Sequence, residues 1–419
     1  MKIVYLSPSG GLGGAERLLL NMLTSLRRLD EQIDPHVIML SRGPLGDALR
    51  DIDVDVTECP MPWQLARLGD SRLRQGSQAR HALALLGSLL QAGAMCPAYL
   101  LQLRRLIVGL QPDLMHSNGI KGHLFGYLMR LSCPTVWHLH DFCGTRPLVA
   151  GALRWCASAT QATIAVSAAV ARDAAVVLPG VASYTIYNAI DTERFAPGVG
   201  NGRALDKLAH LSTTPPGCMR VGLVATYAKW KGQKVFLQAA ERLTRTFPSS
   251  QLRFYIVGGP IYDTHGSQFS YDELQRLADS LGIAAQVGFI PFQSHVEAVY
   301  RALDIVVHGS TQPEPFGLTI AEAMACGRPV VVSEAGGAVE LFTSGHDAIG
   351  YKCGDAREMS NAIGRLIAAP SLRAALSQNA RRSAESQFSM TRMARQLSGV
   401  YVTCLSHQSR KAASLYLKH

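Results

Sequence analysis

Two glutamates, eight residues apart in the last third of the chain, are candidates for accepting hydrogen bonds from hydroxyl groups of a ligand. Glu314 lies in PEPFG, shortly after the apolar run DIVVH, and Glu322 lies further on in IAEAMA. The run predicts a strand, and a helix is predicted to begin at Phe316 or Gly317. Free N–H groups in a first helical turn form an anion site that suits a phosphate, and glycine lets a ligand approach the backbone.

The spacing of the two carboxylates fits a nucleotide sugar. At a helical rise of about 1.5 Å per residue, Glu314 and Glu322 are separated by up to ~12 Å along the axis. This distance would place one carboxylate on a sugar and the other on a ribose, with a diphosphate between them at the helix start. The alternative is a loop glutamate and an exposed helical glutamate. We favour the functional interpretation because both residues have apolar neighbours on most sides.

The glycine-rich stretch SGGLGGAERLLLN follows the apolar run IVYL near the N-terminus and raises another possibility, a dinucleotide cofactor. That fingerprint requires three spaced glycines and an acidic residue at the end of the second strand. Gly11 and Gly13 fit, but Glu16 occupies the third position, and the second strand HVIML ends in Ser41 and Arg42. Both tests fail, so the loop is predicted to approach a ligand closely without binding NAD.

The alternating aspartates of DIDVDV, residues 51–56, are the best candidate for an Asp-x-Asp metal motif. Alternation of period two is also the pattern of a half-buried strand, with Ile52, Val54 and Val56 inward and the aspartates in water. We favour the strand and therefore expect no metal. Because the glycine loop fails the dinucleotide tests, we also expect no cofactor.

The elements that must position these residues alternate along the whole chain. Apolar strand-like runs such as KIVYL, HVIML and TVWHLH in the first half, and RVGLVA, LRFYIVG and PVVVSE in the second, are separated by stretches with helical spacing. This alternation predicts parallel sheets covered by helices on both faces. Two such series predict two doubly wound α/β domains, with ligands in a shared cleft. The stretch from Arg194 to Gly217, rich in Gly, Pro and Thr, marks the boundary.

The amino-acid composition indicates which kinds of partner the protein binds and in which compartment it is found. The chain has 419 residues and a net charge of +10, which favours an anionic partner such as nucleotide phosphate, an acidic polymer or an anionic lipid surface. We expect no nucleic-acid partner. Nine cysteines, scattered singly, and a short apolar run at the N-terminus predict a cytoplasmic protein.

Residues 82–101 carry no charged side chain, and arginines flank them. We therefore expect amphipathic helices at a membrane surface rather than a membrane-spanning helix. A packed helix pair is the alternative.

Several short motifs, in this order, resemble those of the retaining glycosyltransferases of family 4, also called glycosyl transferases group 1. They are GGAERLLLN, WHLHDF, IYNAIDTERFAP, KWKGQ, and EPFGLTIAE continuing into AEAMACGRPVVVSEAGG. The match runs from Lys2 to about residue 400. The resemblance implies the GT-B fold, two Rossmann-like domains facing a central cleft. We therefore predict an acceptor-side domain over residues 1–190, a hinge over 191–217 and a nucleotide-sugar domain over 218–390, with a C-terminal helix of about 391–419 returning to the first domain.

The resemblance also assigns roles to individual residues. It implies that Glu314 binds donor-sugar hydroxyls, that Glu322 binds the ribose, that Lys231 neutralises the pyrophosphate and that His140 meets the sugar. The catalytic residues implied are Glu314, Lys231 and His140. The remaining donor-binding residues implied are Gly13, Gly14, Thr226, Lys229, Phe289, Ile290, Phe316, Gly317, Leu318 and Glu322. On the acceptor side we assign His116, Asn118 and Asp141. His140 and Phe289 have structural alternatives, as a strand-end histidine and a core residue.

One departure from the family pattern concerns the phosphate site. Family members commonly place an arginine about five residues before the turn lysine, where this chain has Thr226. Lys229 is the nearby residue that could supply the missing charge.

The resemblance implies transfer of a sugar from a nucleotide diphosphate sugar to a hydroxyl acceptor, with retention of configuration and without metal. We expect a lipid-linked or growing saccharide as acceptor, and an anionic membrane surface as a partner of the basic, apolar insert over residues 61–105. The alternatives are a non-catalytic nucleotide-sugar-binding subunit, which the loss of the arginine favours, and a GT-B nucleotide-sugar epimerase.

Overall fold

The computed structural model describes residues 1–29, 32–66, 95–248, 251–260 and 266–416. These residues form two compact units. The first unit contains residues 1–189 and the C-terminal residues from 390 onward, and the second unit contains residues 190–389.

The first unit is built on a parallel sheet of seven strands in the order β3-β2-β1-β4-β5-β6-β7. The order reverses between β1 and β4, the topological position at which ligands bind in doubly wound sheets. The strands are β1 Lys2–Ser7, β2 Asp34–Met39, β3 Asp55–Glu58, β4 Leu114–Asn118, β5 Thr135–Leu139, β6 Ala162–Ala165 and β7 Ala182–Thr185.

Helices cover both faces of this sheet. They are α1 Gly14–Leu29, α2 Leu45–Arg50, α3 Trp63–Ala66, α4 over residues 95–109, α5 Ile120–Met129, α6 Pro147–Cys156, α7 Ala168–Val177 and α15 Met390–Tyr416. On one face α4 buries Tyr99, Leu103 and Ile107 in an apolar cluster with Val4 and Met115. The C-terminal helix α15 packs against α1, so the end of the chain is part of the first unit.

The second unit is built on a parallel sheet of six strands in the order β10-β9-β8-β11-β12-β13. The strands are β8 Met219–Val224, β9 Leu252–Val257, β10 Val287–Ile290, β11 Ile305–His308, β12 Val330–Ser333 and β13 Ile349–Tyr351. The helices are α8 Gly202–Leu208, α9 Gln233–Thr246, α10 Tyr271–Ser280, α11 Val296–Ala302, α12 Leu318–Ala325, α13 Ala356–Ala368 and α14 Pro370–Gln387. Strands β11 and β12 are buried along their whole length, as expected of strands covered on both faces.

The predicted fold class, two doubly wound α/β units with parallel sheets, is confirmed. The strand predicted over residues 51–56 is wrong in extent. Residues 51–53 form a turn, with Asp53 in the left-handed region at φ 55°, and β3 begins only at Asp55. The aspartates are nevertheless exposed, and Val54 is buried. The sequence patterns did not predict the short strands β7 and β13.

Residues 191–217, predicted as a hinge, are part of the second unit and include α8. Asp206 on α8 is buried, and its Oδ2 accepts hydrogen bonds from the Thr214 amide at 3.2 Å and from the Arg220 guanidinium at 3.3 Å. Tyr255 on β9 donates to its other oxygen. Burial would raise the pKa of Asp206, but these partners together lower it, so the carboxylate anchors this segment to the sheet as an anion.

Of the insert predicted to bind a membrane, residues 67–94 lie outside the described residues. Among the residues that are described, no helix is both long enough and apolar enough to cross a bilayer.

Candidate functional site

The candidate site of the second unit is built where two loops meet at the carboxyl ends of neighbouring strands. β8 and β11 are paired in parallel, so the turn KWKGQ after β8 and the segment HGSTQPEP that begins at the end of β11 lie at the same edge of the sheet. Gly232 has φ 83°, and a Cβ there would collide with the carbonyl oxygen of Gly309. The Thr311 amide donates to the Trp230 carbonyl at 2.7 Å. Backbone contacts therefore hold the two loops together.

Lys231 and Glu314 form an ion pair across these loops. The Lys231 Nζ lies 2.7 Å from Glu314 Oε2 and 3.0 Å from Oε1, so the ammonium contacts both carboxylate oxygens. The ammonium also lies 4.0 Å from the centre of the Trp230 ring. The side chains of Lys231 and Glu314 are 22% and 9% exposed, so the pair is largely removed from water.

Two further side chains, Ser310 and His308, contact the Oε2 atom of the Glu314 carboxylate. Ser310 Oγ donates to Oε2 at 2.7 Å, and His308 Nε2 lies 3.3 Å from the same oxygen. Both side chains are buried. Burial by itself would raise the pKa of Glu314, but the Lys231 charge and the hydrogen bond from His308 outweigh it and hold the pKa well below its ordinary value. The carboxylate is therefore an anion throughout the physiological range.

The EAGG sequence after β12 supports the backbone of Glu314. The Glu314 amide donates to Ala335 O at 3.2 Å, and Gly337 donates to Glu314 O at 2.7 Å. Gly336 has φ 70°, and a Cβ on it would lie 2.5 Å from Glu314 O. Only glycine fits at this close approach.

Helix α12 begins directly after this turn. Its N-cap is Gly317 at φ 109°, and Leu318 is its first residue, one or two positions later than predicted. Phe316 is buried against Phe388, and the side chain of Glu322 on the same helix accepts a hydrogen bond from Tyr300 at 2.8 Å. The helix start thus offers main-chain N–H groups next to Glu314, as an anion site requires.

Four other residues predicted to bind the donor have contacts outside the Lys231–Glu314 pair. The carbonyl of Thr226 accepts a hydrogen bond from Gln233 Nε2 at 2.6 Å, and the Lys229 ammonium lies 5.6 Å from the centre of the Phe269 ring. Phe289 and Ile290 at the end of β10 are buried, with Phe289 packed edge-on against Tyr271. The geometry brings together Lys231, Glu314 and the start of α12 from this set.

The first unit carries a layer of histidines on its sheet. His116 Nε2 lies 3.2 Å from His138 Nδ1, and the rings of His138 and His140 are 4.2 Å apart. His140 Nε2 is hydrogen-bonded to Asn118 Oδ1, and Tyr401 of α15 lies 2.9 Å from His116 Nδ1. Three predicted residues, His116, Asn118 and His140, therefore belong to one network, whereas Asp141 is exposed and hydrogen-bonds the next amide.

Burial keeps these histidines neutral, together with His123, which is buried on helix α5. It lowers the pKa of His116 and of His123 to about 3 and that of His140 to about 4. The pKa of His138 is also well below its ordinary value for the same reason. At neutral pH these side chains can donate and accept hydrogen bonds, but they carry no charge.

The glycine loop of the first unit precedes α1. Gly14 is the first residue of the helix, and the Gly13 carbonyl accepts its first hydrogen bond, from Arg17. Glu16 lies in the first turn, where a carboxylate interacts favourably with the helix dipole.

Sequence reasoning missed His308 and Ser310. Both follow or end a buried parallel strand, so their position at its carboxyl end was the available signal. Across the described residues, no cluster of three or more His, Cys, Asp or Glu side chains could hold a metal ion.

Two family models match the chain in succession. Glycosyltransferase Family 4 matches residues 12–194, and Glycosyl transferases group 1 matches residues 219–383.

Curated relatives include D-inositol 3-phosphate glycosyltransferases. That of Corynebacterium urealyticum is 31% identical over 230 residues, which are 54% of this chain and 50% of the relative. That of Rhodococcus opacus is 39% identical over 158 residues, 37% of this chain and 34% of the relative. The chain thus aligns with half or less of the length of these proteins.

Solved structures share the fold. Anabaena HepE in complex with UDP and glucose has a TM-score of 0.76 at 24% identity, over 96% of this chain and 99% of that one. Sucrose-phosphate synthase from Thermosynechococcus elongatus has a TM-score of 0.74 at 16% identity, over 97% of this chain and 100% of that one.

Proposed function

The chain belongs to glycosyltransferase family 4, the group 1 glycosyl transferases of GT-B fold, and on this premise we propose that it transfers a sugar from a nucleotide diphosphate sugar to a hydroxyl acceptor. The observation that carries the proposal is the buried pair of Lys231 and Glu314 beside the start of α12. A cation, a carboxylate and free main-chain amides are the groups that a sugar diphosphate needs.

In this proposal the second unit binds the donor. The diphosphate lies against the first turn of α12 and the Lys231 ammonium, and Glu314 accepts hydrogen bonds from hydroxyls of the sugar. Glu322, steadied by the hydroxyl of Tyr300, binds the ribose. Both carboxylates act as hydrogen-bond acceptors, which agrees with the low pKa of Glu314.

The reaction breaks the bond between the anomeric carbon and the diphosphate oxygen and forms a bond from that carbon to the acceptor oxygen. We propose that both events occur on the same face of the sugar, so that the configuration is retained. The acceptor proton passes to an oxygen of the departing phosphate. Lys231 stabilises the negative charge that develops on the leaving group, the role that a metal plays in other transferases.

We propose that the histidine layer of the first unit supplies hydrogen bonds to a sugar. His140, held by Asn118, is neutral at physiological pH and therefore contributes hydrogen bonds rather than charge. His138 is buried and lies against the ring of His140, and the buried His116 is hydrogen-bonded to His138.

For the acceptor we propose a lipid-linked or growing saccharide at an anionic membrane surface. Helix α4 exposes Leu101 and Val108, each 47% accessible, and carries the adjacent Arg104 and Arg105 without an acidic residue. Apolar side chains beside arginines suit an interface of anionic lipid. Co-sedimentation with anionic liposomes at low salt is expected, and no binding would remove the membrane from the proposal.

The activity is tested by a transfer assay. Uridine, guanosine and adenosine diphosphate sugars are supplied with lipid-linked saccharides and with inositol 3-phosphate as acceptors, with and without a chelator. We expect transfer that the chelator does not reduce. Glu314→Gln should lower the rate about 100-fold or more, because the uncharged amide no longer balances Lys231 or accepts the sugar hydroxyl equally well.

The control is Glu193→Gln, which changes an exposed glutamate of the same unit and should keep the wild-type rate. Donor binding without transfer to any acceptor would favour the non-catalytic binding subunit. A wild-type rate in Glu314→Gln would show that this residue has no part in the reaction.

A further inference from the structure

The two oxygens of the Glu314 carboxylate have unequal surroundings. Oε2 is contacted by Lys231 Nζ at 2.7 Å, Ser310 Oγ at 2.7 Å and His308 Nε2 at 3.3 Å. Oε1 is contacted by Lys231 Nζ at 3.0 Å and by no other side chain of the described residues. A carboxylate oxygen has two lone pairs, so Oε2 has no capacity left, whereas Oε1 can accept one more hydrogen bond.

The contacts among Glu314 Oε2, Ser310 Oγ and His308 Nε2 determine which group donates each hydrogen bond. Ser310 Oγ–H donates to Glu314 Oε2, so a lone pair of the same hydroxyl is available to His308 Nε2 at 3.1 Å. His308 must then carry its proton on Nε2, where it is shared between Ser310 Oγ and Glu314 Oε2. Its Nδ1 is buried and has no hydrogen-bond partner among the described residues.

We propose that Ser310 and His308 are positioning residues that fix Oε2 and thereby present Oε1 to a single hydroxyl of the donor sugar. The inference rests on the proposed function and deepens it, because it names the carboxylate atom that accepts the hydrogen bond from the sugar. The 9% exposure of the Glu314 side chain is compatible with one such contact. A carboxylate free to rotate would present either oxygen and would select among hydroxyls less sharply.

The backbone of the positioning residues is held independently of their side chains. Ser310 O accepts hydrogen bonds from Ser333 Oγ at 2.6 Å and Cys353 Sγ at 3.4 Å, and His308 O accepts one from Tyr351 at 3.3 Å. Replacing the Ser310 hydroxyl should therefore loosen the carboxylate and leave the turn in place. This makes Ser310→Ala the informative variant.

The test measures binding by calorimetry rather than turnover. Wild type and Ser310→Ala are titrated with uridine, guanosine and adenosine diphosphates, with their glucose conjugates, and with conjugates in which one glucose hydroxyl at a time is replaced by hydrogen. We expect Ser310→Ala to bind the free diphosphate within about twofold of wild type and the intact sugar conjugate roughly 5- to 10-fold more weakly. For one deoxy conjugate the two proteins should bind equally, because the hydroxyl that Oε1 accepts is missing.

The matched control is Ser360→Ala, which removes another buried serine hydroxyl of the second unit, bonded to the Arg357 carbonyl. It should bind all ligands as wild type does. If Ser310→Ala weakens every deoxy conjugate as much as the intact one, or weakens none, the inference is overturned while the proposed function stands. If wild type binds none of the diphosphates, the proposed function fails and the inference fails with it.

Discussion

At the scale of residues, the site depends on charges that balance within a buried space. Lys231 is the cation in contact with Glu314, and the pair is held by hydrogen bonds from Ser310 and His308. Removing one member of a buried pair leaves the other without compensation, which commonly costs about 3–5 kcal/mol. Replacing either side chain alone is therefore expected to destabilise the second unit.

Lys231→Met is predicted to lower both transfer and stability. Without the ammonium the pKa of Glu314 should rise, because burial then acts with less opposition. On the proposed function, the donor diphosphate also loses the cation that binds it. We expect a rate about 100-fold lower, measured with saturating acceptor, and a lower midpoint of thermal unfolding.

Lys229→Met is the comparison variant, because the resemblance also assigns Lys229 to donor binding. Lys229 is exposed and two residues away in the same turn, with its ammonium near Phe269. Its loss should change the rate only a few fold. Equal losses in both variants would mean that Lys229 supplies the charge that Thr226 lacks.

At the scale of elements, glycines set how closely the loops approach. Gly232 follows the KWK turn in the left-handed region and is the N-cap of α9, and it lies against the backbone of Gly309. Gly336 brings EAGG against Glu314 in a similar way. Pairing of β8 with β11 brings their loops to one edge of the sheet, and these glycines let the loops approach closely enough for Lys231 to contact Glu314.

Gly232→Ala is predicted to destabilise the second unit by more than the backbone strain of a left-handed alanine alone. Gly282 has φ 70° and nothing within 4 Å of the position of a Cβ, so Gly282→Ala reports the cost of a left-handed alanine, about 1 kcal/mol. Gly232→Ala adds the collision with Gly309 and should destabilise the second unit by about 3 kcal/mol or more.

Denaturant unfolding of both variants measures this difference, and calorimetry with a nucleoside diphosphate measures the site. Gly282→Ala should bind as wild type, and Gly232→Ala should bind weakly or not at all. Equal destabilisation of the two variants would contradict the close approach of the loops.

At the scale of the whole molecule, the two units differ in how burial has shifted their titrating groups. The first unit buries His116, His123 and His138 as neutral rings. The second unit buries the carboxylates Asp206 and Glu314 as anions with lowered pKa values. The units are therefore expected to respond to acid in different pH ranges.

The first unit is predicted to lose stability as the pH falls below about 6.5. The folded pKa values of His116 and His123 are about 3, against 6.5 when unfolded, so between these values the unfolded chain binds more protons. Stability then decreases with falling pH by about 1.4 kcal/mol per pH unit for each histidine. The carboxylates of the second unit contribute stability that is retained above about pH 4.5 and is lost only below it.

Hydrogen exchange at pH 7.5 and 5.5, corrected for the intrinsic exchange rate, measures each unit separately. Strands β4 and β5 should become less protected at pH 5.5, while β8 and β11 should change little. Equal loss of protection in both units, or none in β4 and β5, would contradict the assignment of neutral buried histidines.

The sequence alone was sufficient to predict the family, the fold class and most strands of both sheets. Apolar runs and helical spacing are local, so KIVYL or PVVVSE predicts its own element without knowledge of the rest of the chain. Short strands such as β7 and β13, with only a few residues, carry too little periodicity to be predicted.

The contacts within the candidate site were decided only by the tertiary structure. Lys231 and Glu314 are 83 positions apart, and Tyr401 and His116 are 285 positions apart, so no local pattern pairs them. Their meeting depends on which parallel strands are neighbours and on how closely glycines let the loops approach. Sequence spacing could identify Glu314 as a functional carboxylate, but the inequality of its two oxygens arises from Ser310 and His308 packing beneath it. Such packing is a property of the folded sheet, because strand pairing brings together residues that the chain itself keeps apart.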